Sequence, residues 1–233
     1  MLLTPLKVQN DASLPSSLCI GTSDIQLSTV VRNLGVTLDS SLSFKQHVSN
    51  VCKAAYLEIR KISSIRHFLS TEATKTLVCA MVLSRLDYCN SLLAGLPKCL
   101  LDKLQKVQNS AARLVCRSSR RDHITPLLRS LHWLPIQSRI DYKLASICFS
   151  YVSGSAPQYL SEVLHVYTPS RQLRSSADSR LLRIPTVRTK GFGQRSFSFQ
   201  GPTIWNKQPF STRHSPSATS FRTSTKTNLF KQL

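Results

Sequence analysis

The stretch His132–Ala145, HWLPIQSRIDYKLA, decides how the helical part of this chain is arranged. Proline lacks a backbone N–H and fixes its own φ, so Pro135 marks the end of one helix and the start of another. Trp133 is expected to pack at the joint between the two helices. The second helix is predicted by apolar residues at four-residue spacing, Ile136, Ile140 and Leu144. Arg139 and Lys143, also four apart, then share its outer face, so the stretch predicts a core hairpin that also carries part of a cationic surface.

The same three- and four-residue spacing predicts helices on both sides of this hairpin. Upstream, one long apolar face is formed by Phe44, Val48, Val51, Ala55, Ile59, Ile62, Ile65 and Leu69. Asp39 or Ser40 is a candidate cap for the start of that helix. A second helix is expected to begin at Ser70 and to end before Gly95. A third is predicted by Leu100, Leu104, Val107, Ala111 and Leu114, and the final SFRTSTKTNLFKQL suits a short closing helix.

Strands are predicted at both ends of the chain. SLCIGTSDIQL and VVRNLGVTLDS are short apolar runs around turns. FGQRSFSFQGPTIWN, at 192–206, alternates aromatic and polar residues like a strand and then turns at Gly201-Pro202. The expected fold is therefore mainly α, with a short N-terminal β-hairpin, an antiparallel helical bundle and a basic irregular C-terminal region with short strands. The predicted regions are 1–40, 41–166 and 167–233.

The charge of the chain is far from balanced. Its 31 Lys and Arg residues stand against 11 Asp and Glu, which gives a formal net charge of +20. Such an excess of cations favours nucleic acid as a partner over an anionic protein or a membrane surface. Twelve of the cations follow Thr168, where Asp178 is the one acid.

The sequence also indicates the cellular compartment in which the protein is expected. It contains no run approaching the roughly 20 apolar residues of a membrane-spanning helix. Its first residues lack the pattern of a signal peptide. The seven cysteines are irregularly spaced with no Cys-x-x-Cys, so reduced thiols are the simplest interpretation. We expect an intracellular protein that is not secreted, with the nucleus as a candidate location.

Catalytic and metal-binding patterns are missing from the sequence. Two-metal nucleotidyl transfer requires converging carboxylates, yet the eight Asp and three Glu are scattered without an Asp-Asp pair. The spacing of Cys89, Cys99, Cys116 and His123 fits no zinc pattern. No His is followed two residues later by an acid, as an iron oxygenase would require. We therefore predict no catalytic residue, no metal ligand and no cofactor.

Nucleic-acid binding is predicted for clusters of cations, since Lys and Arg neutralise phosphates. Near the C-terminus they interleave with Phe192, Phe197 and Phe199, which could stack on unpaired bases. A small core is the alternative for these rings, and it is favoured for Trp205. The alternative role for the cluster Arg113, Arg117, Arg120 and Arg121 is capping of the C-terminus of the third helix by cations. Capping explains one or two of these four arginines. The predicted binding residues are Arg113, Arg117, Arg120, Arg121, Arg139, Lys143, Arg171, Arg174, Arg183, Arg188, Lys190 and Arg195.

Five segments carry a family resemblance, in order: LGVTLDSSLSFKQHV, LDYCNSLLAGLP, LQKVQNSAARLV, HITPLLRSLHWLPIQSRIDYK and GQRSFSFQGPTIWNKQP, the last trailed by SFRTSTKTNLF. Over about residues 30–233 they resemble the C-terminal part of the reverse transcriptase polyprotein of vertebrate non-LTR (LINE-type) retrotransposons. The resemblance implies a post-palm thumb and C-terminal region that binds template RNA and primer DNA without sequence preference. The paired aspartates of that family precede this segment, so no catalytic residue is carried over and the chain is expected not to be an enzyme.

Two other functions stay open. One is a helical protein-interaction module, which would form an oligomer or a protein complex. The other follows from residues 34–69, which are similar to an N-terminal segment of alkylated-DNA-repair AlkB homologues. The iron ligands of a 2-oxoglutarate oxygenase and the glycine loop of a methyltransferase are missing, so this second resemblance does not imply activity.

Overall fold

The computed structural model describes residues 17–169, 180–189 and 191–232. Contacts divide the chain into two compact units, Met1–Ala54 and Ala55–Leu233. Helices predominate in the described residues, and antiparallel strand pairs precede them. The predicted mainly α fold with an N-terminal β-hairpin is confirmed.

The first unit contains two short hairpins. Strand β1 (Ser17–Ile20) pairs antiparallel with β2 (Ser23–Gln26), and β3 (Val30–Asn33) pairs with β4 (Val36–Asp39). Both residues of the second loop, Leu34-Gly35, have positive φ, at 46° and 82°. This is the type I′ geometry whose twist matches that of the flanking strands, and glycine adopts it without steric cost.

A carboxylate at the end of β4 organises the entry into helix α1 (Lys45–Ser64). Asp39 accepts hydrogen bonds from the backbone N–H groups of Ser43 and Phe44, both at 2.8 Å, and from the Ser41 hydroxyl at 2.6 Å. Burial acts to raise the pKa of Asp39, but these hydrogen bonds outweigh it and leave that pKa lowered. The prediction that Asp39 or Ser40 caps α1 is wrong in its position: the helix begins at Lys45, and Asp39 fixes the turn that precedes it, because it accepts from Ser43 and Phe44 and not from an N–H of the helix.

The second unit is helical. After α1 comes a 3₁₀ turn, Arg66–Phe68. Helix α2 (Thr71–Val78) continues through a π-helical segment, Cys79–Leu83, into α3 (Ser84–Asp87), and a 3₁₀ turn follows at Asn90–Leu93. The next helices are α4 (Lys98–Cys116), α5 (Ile124–Ser130) and α6 (Ile136–Val152). After 3₁₀ turns at Gln158–Glu162 and Gly193–Arg195 come α7 (Phe197–Asn206), α8 (Phe210–Arg213) and α9 (Ala218–Lys231).

Helix α6 lies at the centre of this unit, where it packs against α4, α7 and α9. Phe149 of α6 stacks on Phe221 of α9 with ring centroids 4.4 Å apart. Trp205 of α7 packs beside both rings and donates its indole N–H to the carbonyl of Arg180 at 2.7 Å. Trp133 is 4% exposed, as expected for a side chain packed at the α5–α6 joint.

The strand predicted from residue 192 to the Gly201-Pro202 turn is wrong, and so is the turn, because Phe197–Asn206 forms α7. The alternation of Phe with polar residues spans too few positions to exclude a helix. The same stretch also has a helical spacing, since Phe197, Gly201 and Trp205 are four residues apart and lie on one face of a helix. Gly201 permits close packing on α6: a Cβ at this position would lie 3.2 Å from the sulfur of Cys148.

Candidate nucleic-acid interface

A polar groove of about 880 Å³ lies between the second half of α1, the 66–68 turn and the C-terminal half of α4. Five of its lining residues are cationic, and none of the described residues that line it is acidic. We call it the basic groove. Its lining is Tyr56, Ile59, Ser63, Arg66, Lys106, Asn109, Ser110, Arg113, Leu114, Arg117, Ser118 and Arg120.

Arg66 forms part of the floor of the basic groove and is 7% exposed. Its guanidinium donates to the carbonyl oxygens of Leu114 at 3.0 Å, Val115 at 2.9 Å and Leu69 at 2.8 Å. The last carbonyls of a helix have no partner within it, and a cation there also interacts favourably with the helix dipole. Arg66 therefore completes the end of α4, a role that the sequence analysis missed because the partners are 48 and 49 residues away.

Arg113 holds the loop that follows α4. Its guanidinium donates to the carbonyls of Ser119 at 3.1 Å and Asp122 at 3.2 Å. The Asp122 carboxylate in turn accepts from the backbone N–H of Ser119 at 2.7 Å. Arg117 ends the helix in the left-handed conformation, with φ 53°. Arg113 thus fixes the loop that carries the other three arginines of the predicted cluster, Arg117, Arg120 and Arg121.

The cations that remain available are Lys106, Arg117 and Arg120. All three are exposed. Within the part of the chain that the structure describes, none of their side chains donates a hydrogen bond or pairs with a carboxylate. Arg121 is exposed on the same loop but does not line the groove.

Arg139 and Lys143 lie on α6, at a second pocket. The Arg139 guanidinium contacts the Asp87 carboxylate at 2.5 Å and donates to the Leu134 carbonyl at 2.9 Å. Its charge is therefore paired, and its side chain is 16% exposed. Lys143, one turn further along the helix, is exposed.

The C-terminal candidates do not form one described cluster. Arg183 and Arg188 are exposed, whereas Arg195 is half-buried and packs against Gly95. Trp205 belongs to the core, as the sequence favoured, and is fully buried. The remaining predicted residues, Arg171, Arg174 and Lys190, lie outside the described residues.

Metal clusters and membrane-spanning helices are absent from the described ranges 17–169, 180–189 and 191–232. There, no three His, Cys, Asp or Glu side chains are grouped to hold a metal ion. No helix in those ranges is both long enough and apolar enough to cross a membrane. The seven cysteines all lie within them, and none is in a disulfide.

No family model, curated protein or solved structure matches this chain. Its function is therefore inferred from its own residues and their geometry.

Proposed function

We propose that this chain is a non-catalytic piece of a LINE-type retrotransposon reverse transcriptase that binds RNA and DNA through its basic groove. The observation that carries the binding proposal is the groove itself. Lys106, Arg117 and Arg120 are exposed along it, with no acid among its described lining residues. The five ordered sequence segments support the origin, and the net charge of +20 supports a polyanionic partner.

The groove residues suit a phosphate backbone more than a base sequence. Each cation that meets a phosphate releases condensed counterions, which gives an affinity without sequence preference. Arginine adds a planar fork that matches two phosphate oxygens. Arg66 and Arg113 donate to backbone carbonyls of the protein, so they add positive potential beneath a bound nucleic-acid strand. The three exposed cations make the direct contacts with its phosphates.

Salt dependence tests this proposal. Fluorescence anisotropy would follow binding of a labelled RNA–DNA primer–template duplex across a series of salt concentrations. We expect log affinity to fall linearly with log salt, with a slope of roughly −0.9 for each phosphate contacted, so about −3 for three contacts. A lack of binding at low salt, or an affinity that salt does not change, would contradict the proposal.

A helical protein-interaction module is the second candidate. The observation that favours it is the exposure of apolar side chains beside the end of α1, where Phe68 is 81% exposed and Ile65 44%. A pure interaction module would elute from a sizing column as a stable oligomer or protein complex. Nuclease treatment would leave that elution volume unchanged, whereas a nucleic-acid complex would shift.

A further inference from the structure

The two sides of the basic groove differ in chemistry. Helix α4 and the loop that follows it contribute four of the five cations that line the groove, and Arg66 contributes the fifth. The lining side chains of α1 are uncharged, and they are Tyr56, Ile59 and Ser63. A ligand in the groove therefore meets positive charge on one side and an aromatic and aliphatic surface on the other.

Tyr56 presents an accessible aromatic ring to the groove. It is 43% exposed. Among the described residues, its hydroxyl has no hydrogen-bond partner and its ring stacks on no other aromatic ring. A tyrosine that serves a core is buried and usually pairs its hydroxyl. The exposed part of this ring is therefore available to a bound molecule.

The exposed cations on the other side follow the length of the groove. Lys106 and Arg117 are eleven residues apart, which is about three helical turns, so they lie on the same face of α4. That spacing is roughly 16 Å along the helix axis. Arg120 continues the cationic side onto the loop. These side chains can therefore contact different phosphates of one strand.

A single strand fits this asymmetry better than a duplex does. In a duplex the bases stack on one another and their faces are covered, whereas an unpaired base exposes its face to a protein ring. A single strand can turn its phosphates toward α4 and a base toward α1. A duplex can use the cations, but it has no base face to offer Tyr56.

We propose that the basic groove binds single-stranded nucleic acid with one unpaired base stacked on Tyr56. The phosphates of the strand lie along the exposed cations of α4 and its loop. This proposal rests on the proposed function of the groove and adds the class of strand that the groove selects. Because every base has a π-face, stacking on Tyr56 adds affinity without sequence preference.

Fluorescence anisotropy of the full chain with three labelled probes tests the stacking. The probes are an oligothymidylate, an abasic strand with the same number of phosphates but no bases, and a blunt DNA duplex. Tyr56→Ala should weaken binding of the oligothymidylate by about 5- to 150-fold, the range for one base stacked on an aromatic side chain. It should leave binding of the abasic strand and of the duplex unchanged, because neither offers an unpaired base.

Two further variants serve as controls. Tyr56→Phe keeps the ring and should bind the oligothymidylate like the unchanged chain. Tyr159→Ala removes a tyrosine that is 63% exposed outside the groove, and it should also bind like the unchanged chain. Alanine favours the helix at position 56, so circular dichroism should show no loss of helix in Tyr56→Ala.

The dependence on salt separates the ring from the cations. Tyr56→Ala should keep the slope of log affinity against log salt, because stacking releases no counterions. Arg117→Gln with Arg120→Gln should flatten that slope for the oligothymidylate by roughly 1.4, which is about 0.7 for each phosphate of a single strand.

The proposal is overturned if Tyr56→Ala weakens the abasic strand or the duplex as much as the oligothymidylate. It is also overturned if Tyr56→Ala weakens none of the probes, or if Tyr56→Phe loses as much affinity as Tyr56→Ala. Each of these results, with salt-dependent binding retained, leaves the groove as a phosphate-binding surface. A failure of all three probes to bind at low salt overturns both the stacking and the proposed function.

Discussion

Arg66 and Arg113 line a groove suited to phosphate, yet both donate to backbone carbonyls of the protein itself. They differ from Lys106, Arg117 and Arg120, whose charged groups are exposed. Substitutions in these two groups of cations, those that donate to the protein backbone and those that are exposed, should therefore have different effects. The first class should change stability, and the second should change binding with little effect on the fold.

Arg66→Met should lower the free energy of unfolding by about 2–4 kcal/mol, because it leaves the carbonyls of Leu69, Leu114 and Val115 without their shared donor. Urea denaturation followed by circular dichroism measures this loss. Lys106→Met, an exposed change in the same groove, is the control and should lie within about 0.5 kcal/mol of the unchanged protein. Equal stabilities for the two variants would show that Arg66 does not complete the end of α4.

At the scale of elements, the turn from β4 into α1 depends on one carboxylate. Asp39 ends the strand and accepts from the backbone of the residues just before the helix. The pKa of Asp39 is lowered in the folded protein below its ordinary value of 3.8. Its ionised form therefore stabilises the fold above that ordinary value, and this contribution disappears as the pH falls through the folded pKa.

Asp39→Asn should accordingly reduce the urea midpoint at neutral pH, and its difference from the unchanged protein should shrink as the pH falls below about 4. Unfolding curves recorded at neutral pH and at successively lower pH test this expectation. Asp102→Asn, at an exposed position of α4, serves as the comparison and should lie within about 0.5 kcal/mol of the unchanged protein at neutral pH. A stability loss that stays constant with pH would contradict the assigned role of the Asp39 charge.

The elements also show what the sequence could predict. The α5–α6 hairpin was predicted because Pro135 and a sustained four-residue spacing agree. The N-caps of α2 and α9 accept hydrogen bonds as local chemistry dictates: Ser70 from Ala73 at 3.1 Å, and Ser217 from Ser220 at 3.1 Å. Helix α7 was predicted as a strand because its decisive contacts, with Phe149 and Phe221, are made by residues distant in sequence.

The candidate site was only partly predictable for the same reason. The cluster at the end of α4 is contiguous, so its cations were recognised as binding candidates. Tyr56, Arg66 and Lys106 line the same groove only because of how α1 and α4 pack. That packing cannot be predicted from a local sequence pattern. Likewise, Arg139 was expected on an outer face, but the distant Asp87 holds it in an ion pair.

At the scale of the whole molecule, the net charge of +20 by itself does not define an interface. Removing any exposed cation weakens the long-range attraction to a polyanion, but only a cation in contact with phosphate changes the number of counterions released. The slope of affinity against salt concentration therefore separates a specific groove from diffuse charge.

The most direct test compares two variants that each lose three positive charges. Lys106→Gln, Arg117→Gln and Arg120→Gln together remove the exposed cations of the basic groove. Lys98→Gln, Lys103→Gln and Arg129→Gln remove three exposed cations outside it. With the RNA–DNA duplex, we predict that the groove variant flattens the salt slope by roughly 2 to 3, while the control keeps the slope of the unchanged chain. Equal slopes for the two variants would contradict the assignment of the basic groove as the nucleic-acid interface.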